Sequence, residues 1–191
     1  MAFSWASWVQ MPDTCGEGVS YVGFTGTQRG MTDAQRAAVR QLIRNRAVSF
    51  AVHGGCVGAD FDFHELVRSC TPQAVVWVRP AWMPEKWPTP ILAASAHKAV
   101  VNGRTVSLRT VESLNDAWFH IGAKRVFPPA ANPLDRNVDM VRDIAKFKGW
   151  WIATPKLMVE ELRSGTWHCI RRVRKAGIPL SIVWPTGEID E

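Results

Sequence analysis

The sequence lacks cysteines spaced for a metal or for a disulfide framework. Cys15, Cys56, Cys70 and Cys169 are scattered, and no C-x-x-C pair occurs. That excludes the usual zinc modules and makes a reduced compartment the expectation. No stretch reaches the roughly 18 consecutive apolar residues of a membrane span. The opening residues, MAFSWASWVQMPD, carry no basic run followed by an apolar one. No secretory leader is expected, and the chain reads as cytoplasmic with no membrane partner. Neither a G-x-x-x-x-G-K-S/T phosphate loop, an H-E-x-x-H zinc helix nor a G-x-S-x-G nucleophile elbow is found,. No metal and no organic cofactor are therefore expected. Repeats and low-complexity tracts are absent as well. Tyrosine is nearly missing, with one residue against ten tryptophans. Several tryptophans sit in apolar runs and read as core, but Trp82, Trp87 and Trp118 lie in a weakly patterned stretch.

What is present suits one folded domain spanning residues 1–191. A chain of 191 residues buries about 70% of its unfolded surface in a single core. Its 47% hydrophobic and 21% charged residues are ordinary for a globular protein,. The formal net charge of +6 favours anionic partners without choosing among them,.

Short apolar runs alternate with helical patterns. Strands are expected at Val19–Phe24, Val48–Val52, Ala74–Val78, Lys124–Phe127, Trp150–Ala153 and Ile178–Trp184. Helices are expected at about Thr32–Arg46, Gly58–Ser69, Leu134–Phe147 and Thr166–Ala176, with Thr32 as an N-cap and Gly177 as a C-terminal stop. Apolar strands each followed by a helix imply a mainly parallel sheet covered on both faces, a Rossmann-like three-layer α/β sandwich. The segment from Ala81 to Ile121 breaks the rhythm. It opens with Pro84, Pro88 and Pro90, then suggests helices around Ile91–Val101 and Val111–His120, and reads as a mid-chain insertion. The tail from Pro185 to Glu191 is expected to fray.

Ligands of open parallel sheets bind beyond the carboxyl ends of the strands. Three loops fall there. In Gly23-Phe-Thr-Gly-Thr-Gln-Arg-Gly30, Gly23 and Gly26 let backbone N–H groups approach a phosphate, Thr25 and Thr27 offer hydroxyls, and Arg29 can fork onto phosphate oxygens. The second loop, His53-Gly-Gly-Cys-Val-Gly-Ala-Asp60, has Gly54, Gly55 and Gly58 clearing space for an anion or sugar. Asp60 either accepts from a ribose hydroxyl or caps the following helix. His53 reads as a packed strand-end residue and Cys56 as filler. The third loop places Arg163, Ser164, Gly165 and Thr166 at a helix start, where N–H groups and the helix dipole favour an anion.

Together with Asn132-Pro-Leu-Asp-Arg-Asn137 and Ile152-Ala-Thr-Pro155, these segments resemble the SLOG superfamily. That group joins the Rossmann-like domain of DNA-processing protein A to the Lonely Guy nucleotide phosphoribohydrolases. The resemblance covers about residues 19–80 and 122–184. It implies a nucleotide-type ligand lying across the three loops, phosphate near Gly165 and Thr166, and Arg136 and Asn137 at the same edge. Members often pair, so a homodimer is also implied. The hydrolase branch carries P-G-G-x-G-T-x-x-E, whereas Arg163-Ser-Gly-Thr-Trp-His-Cys-Ile170 has no acid at that place.

Three readings stay open. The leading one is binding of a nucleotide or nucleotide-derived small molecule, with Arg29 and Arg163 on its phosphate. The second is an N-glycosidase acting on nucleoside monophosphates, for which Asp60, Glu160 and Glu161 are the available carboxylates. The third is single-stranded nucleic-acid binding through the basic run Arg171-Arg-Val-Arg-Lys175 and exposed tryptophans. Trp167, Ile170 and Val173 at helical spacing favour a solvated basic face over that third use.

Overall fold

A computed structural model describes residues 18–81, 88, 97–101, 104–108, 118–119, 121–127 and 132–191. Cys15, Trp82, Trp87 and most of the helix expected at Val111–His120 lie outside the described residues. Strands β1 (Ser20–Gly26), β2 (Val48–His53) and β3 (Val75–Val78) alternate with helices α1 (Asp33–Asn45) and α2 (Ala59–Cys70). A hairpin pair, β4 (His97–Val101) and β5 (Arg104–Leu108), precedes β6 (Arg125–Val126). Then follow α3 (Pro133–Lys146), β7 (Trp150–Thr154), α4 (Gly165–Lys175), β8 (Leu180–Val183) and β9 (Ile189–Asp190).

Seven strands form one sheet in the order β6-β3-β2-β1-β7-β8-β9. Every pairing is parallel except the last, β8 with β9. The order grows outward from β1 through β2, β3 and β6, then restarts on its other side at β7. The ends of β1 and β7 therefore flank the switch point where open α/β sheets hold ligands.

Side chains alternate across the sheet and divide the core in two. Val22, Phe24, Val76 and Trp150 pack with Val39 and Ile43 of α1 and Phe63 and Leu66 of α2. Tyr21, Trp77 and Trp151 face the other way, against Met140 and Ile144 of α3 and Ile170 and Val173 of α4. The neighbours Trp150 and Trp151 thus serve opposite layers, as period-two alternation requires. Among the described residues, no helix is long and apolar enough to cross a membrane.

The helix starts follow from local chemistry. Thr32 accepts from the Gln35 N–H at 3.1 Å, and the Gln35 side chain accepts from the Thr32 N–H at 3.0 Å, a reciprocal capping box,. Asn132 caps α3 with Pro133 in its first turn, and Ser164 caps α4. Gly177 ends α4 with a positive φ of 65°.

Two expectations are corrected. Residues 97–101 are a strand, where a helix was expected over Ile91–Val101, and they pair antiparallel with 104–108. The β-branched content of both segments and the Asn102-Gly103 pair between them are hairpin signals that the helical reading passed over. Nor does the whole tail fray: Ile189 and Asp190 pair with Val183 and Ile182. The Trp184 indole donates to Asp190 at 2.7 Å, and Arg46 forms an ion pair with Glu191.

Candidate functional site

A cleft of about 730 Å³ opens over the ends of β1 and β7, within the range of small-molecule sites. All three glycine-bearing loops reach it. The first contributes Thr25, Gly26, Thr27 and Arg29, the second Asp60, and the third Arg163, Ser164, Gly165 and Thr166. Arg136 and Asn137 enter from α3.

Loop one is a tight turn. The Thr27 carbonyl accepts from the Gly30 N–H at 3.2 Å and from the Ala59 N–H at 2.9 Å, which ties the loop to the start of α2. The Thr27 hydroxyl accepts from the backbone N–H of Arg29 at 3.2 Å. Separately, the exposed Arg29 guanidinium has no partner among the described residues. Loop three starts α4. Ser164 accepts from the Trp167 and His168 N–H groups. The Gly165 and Thr166 N–H groups have no acceptor among the described residues, and a Cβ on Gly165 would meet nothing within 4 Å. Two uncapped donors at a helix start, on residues that line a cleft, suit an anion,.

One buried guanidinium joins the loops. Arg136, 8% exposed, donates from Nη1 to the Gly54 carbonyl at 2.7 Å and to Cys56 Sγ at 3.3 Å. Its Nε donates to Asn137 Oδ1 at 3.1 Å, and the Asn137 amide donates to the Gly165 carbonyl at 3.4 Å. The Thr166 hydroxyl donates to the Gly26 carbonyl at 2.9 Å. Arg136 and Thr166 therefore hold the loops together, and their hydrogen-bonding groups are largely committed to protein partners.

Asp60 lies beside Arg136 in the second loop's grip. Its Oδ2 accepts from the Cys56 N–H at 3.1 Å, and the nearby Gly54 N–H also favours the charged form. Burial pushes Asp60 up to about 6, against the opposing pull of Arg136 and these two N–H groups,. For Arg136, burial favours the neutral form, but Cys56, Asp60 and Cys169 more than reverse it and hold the guanidinium above its ordinary value. Burial likewise pushes the Cys169 thiol up to about 12.

Beneath loop two lies a buried imidazole pair. The Gly55 N–H donates to His53 Nδ1 at 3.1 Å, so Nε2 carries the proton and faces His64 Nδ1 at 3.0 Å. His64 Nε2 then donates to the Ile121 carbonyl at 3.2 Å. The chain of bonds fixes both rings as neutral tautomers. Burial lowers His64 to about 4 and His53 well below its ordinary value. His53 is thus the packed strand-end residue that the sequence suggests.

Four candidates sit away from the cleft surface. Gly23 lies within the sheet, where a Cβ would stand 2.2 Å from the Trp151 ring. Gly54 is pressed between Arg136 and Asp60, and Gly55 packs against Val78 and Trp118. At Gly58, φ is 85° and a Cβ would stand 2.3 Å from the Gln28 carbonyl. These glycines give the loops their close packing and are not among the residues that line the cleft. The two glutamates also part company. Glu161 lines the cleft and pairs with Lys156 at 2.8 Å, whereas Glu160 turns away to pair with Arg171 at 2.7 Å. Cys56, read as filler, lines the cleft, as do Lys156, Leu134 and Met140, which the sequence reading passed over. Lys156 directly follows the Ile152–Pro155 strand end, the one signal that places it.

No protein-family model matches the chain, and no curated protein matches it.

Proposed function

We propose that the chain binds a nucleotide or nucleotide-derived small molecule in this cleft. The observation that carries the reading is the third loop. Gly165 and Thr166, whose N–H groups have no acceptor among the described residues, line a cleft together with Arg29 and Arg163, neither of them ion-paired among those residues. Such a set suits a phosphate, with charge-assisted bonds each contributing about 1.5–3 kcal/mol. Pro133, Leu134 and Met140 of the α3 segment supply apolar lining suited to a base. The resemblance of the loop motifs to the SLOG superfamily supports the same ligand class. Calorimetric titration with a panel of ribo- and deoxynucleotides tests it. At least one should bind, and R29A/R163A should weaken that binding by more than tenfold at low salt. If no nucleotide binds the unaltered protein, the reading is wrong.

A second reading, hydrolysis of the N-glycosidic bond of a nucleoside monophosphate, is favoured by Asp60. It is a carboxyl in the cleft with its proton affinity raised to about 6, suited to exchanging a proton near neutrality,. Chromatography of nucleotides after long incubation with the protein tests it. Release of free base that disappears in D60N supports it, and no release from any nucleotide removes it.

A further inference from the structure

An acid in the floor of a cleft with cationic lining needs an explanation. Asp60 is 6% exposed, lines the cleft, and is held by the Cys56 N–H, with its Oδ2 and Arg136 Nη1 both pressed against Gly54. As a carboxylate it repels any anion that enters. As a neutral acid it does not, and its bond from Cys56 can persist, because a protonated carboxyl keeps acceptor capacity.

We propose that Asp60 takes up a proton when an anionic ligand enters the cleft, so that ligand binding and protonation of this one residue are linked. The inference rests on the anion-binding reading above. The proton comes from solvent, no bond of the ligand changes, and the negative charge of the ligand replaces that of the carboxylate beside Arg136.

The surroundings leave Asp60 as the group placed to do this. From β2, His53 stays neutral. On α2 itself, His64 is neutral, and Asp62 turns aside to accept from the Met31 N–H at 2.7 Å and to pair with Arg36. α3 contributes Arg136, which stays charged. From α4, the Cys169 thiol keeps its proton. The Cys56 thiol is turned to Arg136, Glu161 is held by Lys156, and Arg29 and Arg163 line the same cleft. Asp60 starts near 6, so a neighbouring anion moves it into the neutral range. Each unit of that movement tightens binding about tenfold below both values.

Sulfate is the probe, because it stays a dianion throughout this range and contributes no proton of its own. Calorimetric titration of the unaltered protein in two buffers of different ionisation enthalpy at pH 6.5 should register uptake of a fraction of a proton. Sulfate should bind about five- to tenfold tighter at pH 5.5 than at pH 7.5. In D60N, whose side chain is neutral at every pH, sulfate should bind at pH 7.5 as tightly as the unaltered protein does at pH 5.5, with no pH dependence. A purely structural brace predicts the opposite, weaker binding in D60N. Sulfate binding with no buffer dependence and no pH dependence overturns the inference and leaves the anion site standing. No sulfate binding at any pH overturns both. The buffer comparison needs no variant, so it decides even if D60N does not fold.

Discussion

Arg136 occupies the space that a side chain on Gly54 would need. A Cβ there would stand 2.1 Å from Nη1 and 2.8 Å from Asp60 Oδ2, while the same Nη1 donates to the Gly54 carbonyl. The close approach lets one guanidinium hold a loop by its backbone. G54A should therefore displace Arg136 from its bonds and lower stability by roughly 2–4 kcal/mol, the range for overpacking combined with a disturbed buried charge. Urea denaturation followed by tryptophan fluorescence checks it. A loss under ~0.5 kcal/mol would show that the contact yields freely.

Acid should weaken the fold through the imidazole pair. Both rings are neutral when folded, with His64 near 4 and His53 also depressed, whereas an unfolded histidine titrates near 6.5. The unfolded chain thus binds more protons below that value. The stability from this source is complete above about pH 6.5 and is lost as pH falls toward 4, by an order of 3 kcal/mol for His64. Asp60 acts in reverse. Its folded value, raised to about 6, exceeds its unfolded one, so its penalty above pH 6 is relieved as pH falls. Thermal melts from pH 7.5 to 4.5 should show the unaltered protein losing stability, less steeply in H64N and more steeply in D60N. A flat profile in all three would contradict the neutral-pair geometry.

Thiol reagents should separate the cysteines. Cys169 is fully buried, and its thiol is held protonated to about 12, and only the thiolate attacks such reagents. Iodoacetamide at pH 8 should leave Cys169 unlabelled in the native protein and label it in urea, as read by peptide mass spectrometry. Native labelling of Cys169 would mean that α4 opens readily.

The frame was legible in the sequence because it rests on local patterns. The apolar runs that became β1, β2, β3, β7 and β8, and the stripes of α1 to α4, each carry their own period, and three of the four helices carry a side-chain cap as well. Thr32 and Gly177 mark helix ends by chemistry that needs no distant partner. The site was legible only in part, since its logic is long-range. Nothing local to Arg136 states that it will meet Gly54, 82 residues away in sequence. Nor does the Gly23 neighbourhood reveal that the Trp151 ring fills the space a side chain would need there. Glu160 and Glu161 are adjacent and chemically alike, and only the folded loop sends one into the cleft and the other to Arg171. The hairpin of β4 and β5 was missed for the opposite reason, a local signal outweighed by a helical reading of the residues before it.

Gly165 offers the cleanest separation of binding from folding. A Cβ there meets nothing within 4 Å, and the position is the first of α4 after its Ser164 cap. Among the described residues, the first turn of α4 holds no acid. An aspartate at a helix N-terminus contributes about 0.3–1 kcal/mol of stability through the dipole. G165D should therefore fold with an unchanged or slightly raised melting temperature. The same carboxylate would occupy the place proposed for the anion at the Gly165 and Thr166 N–H groups and add a negative charge beside Arg163. Nucleotide or sulfate affinity should fall by at least tenfold, with the loss larger at low salt, where charges are least screened. Calorimetry beside a thermal melt reads both quantities on one sample. Intact binding in a well-folded G165D would move the anion away from α4 and leave Arg29 and the first loop to hold it.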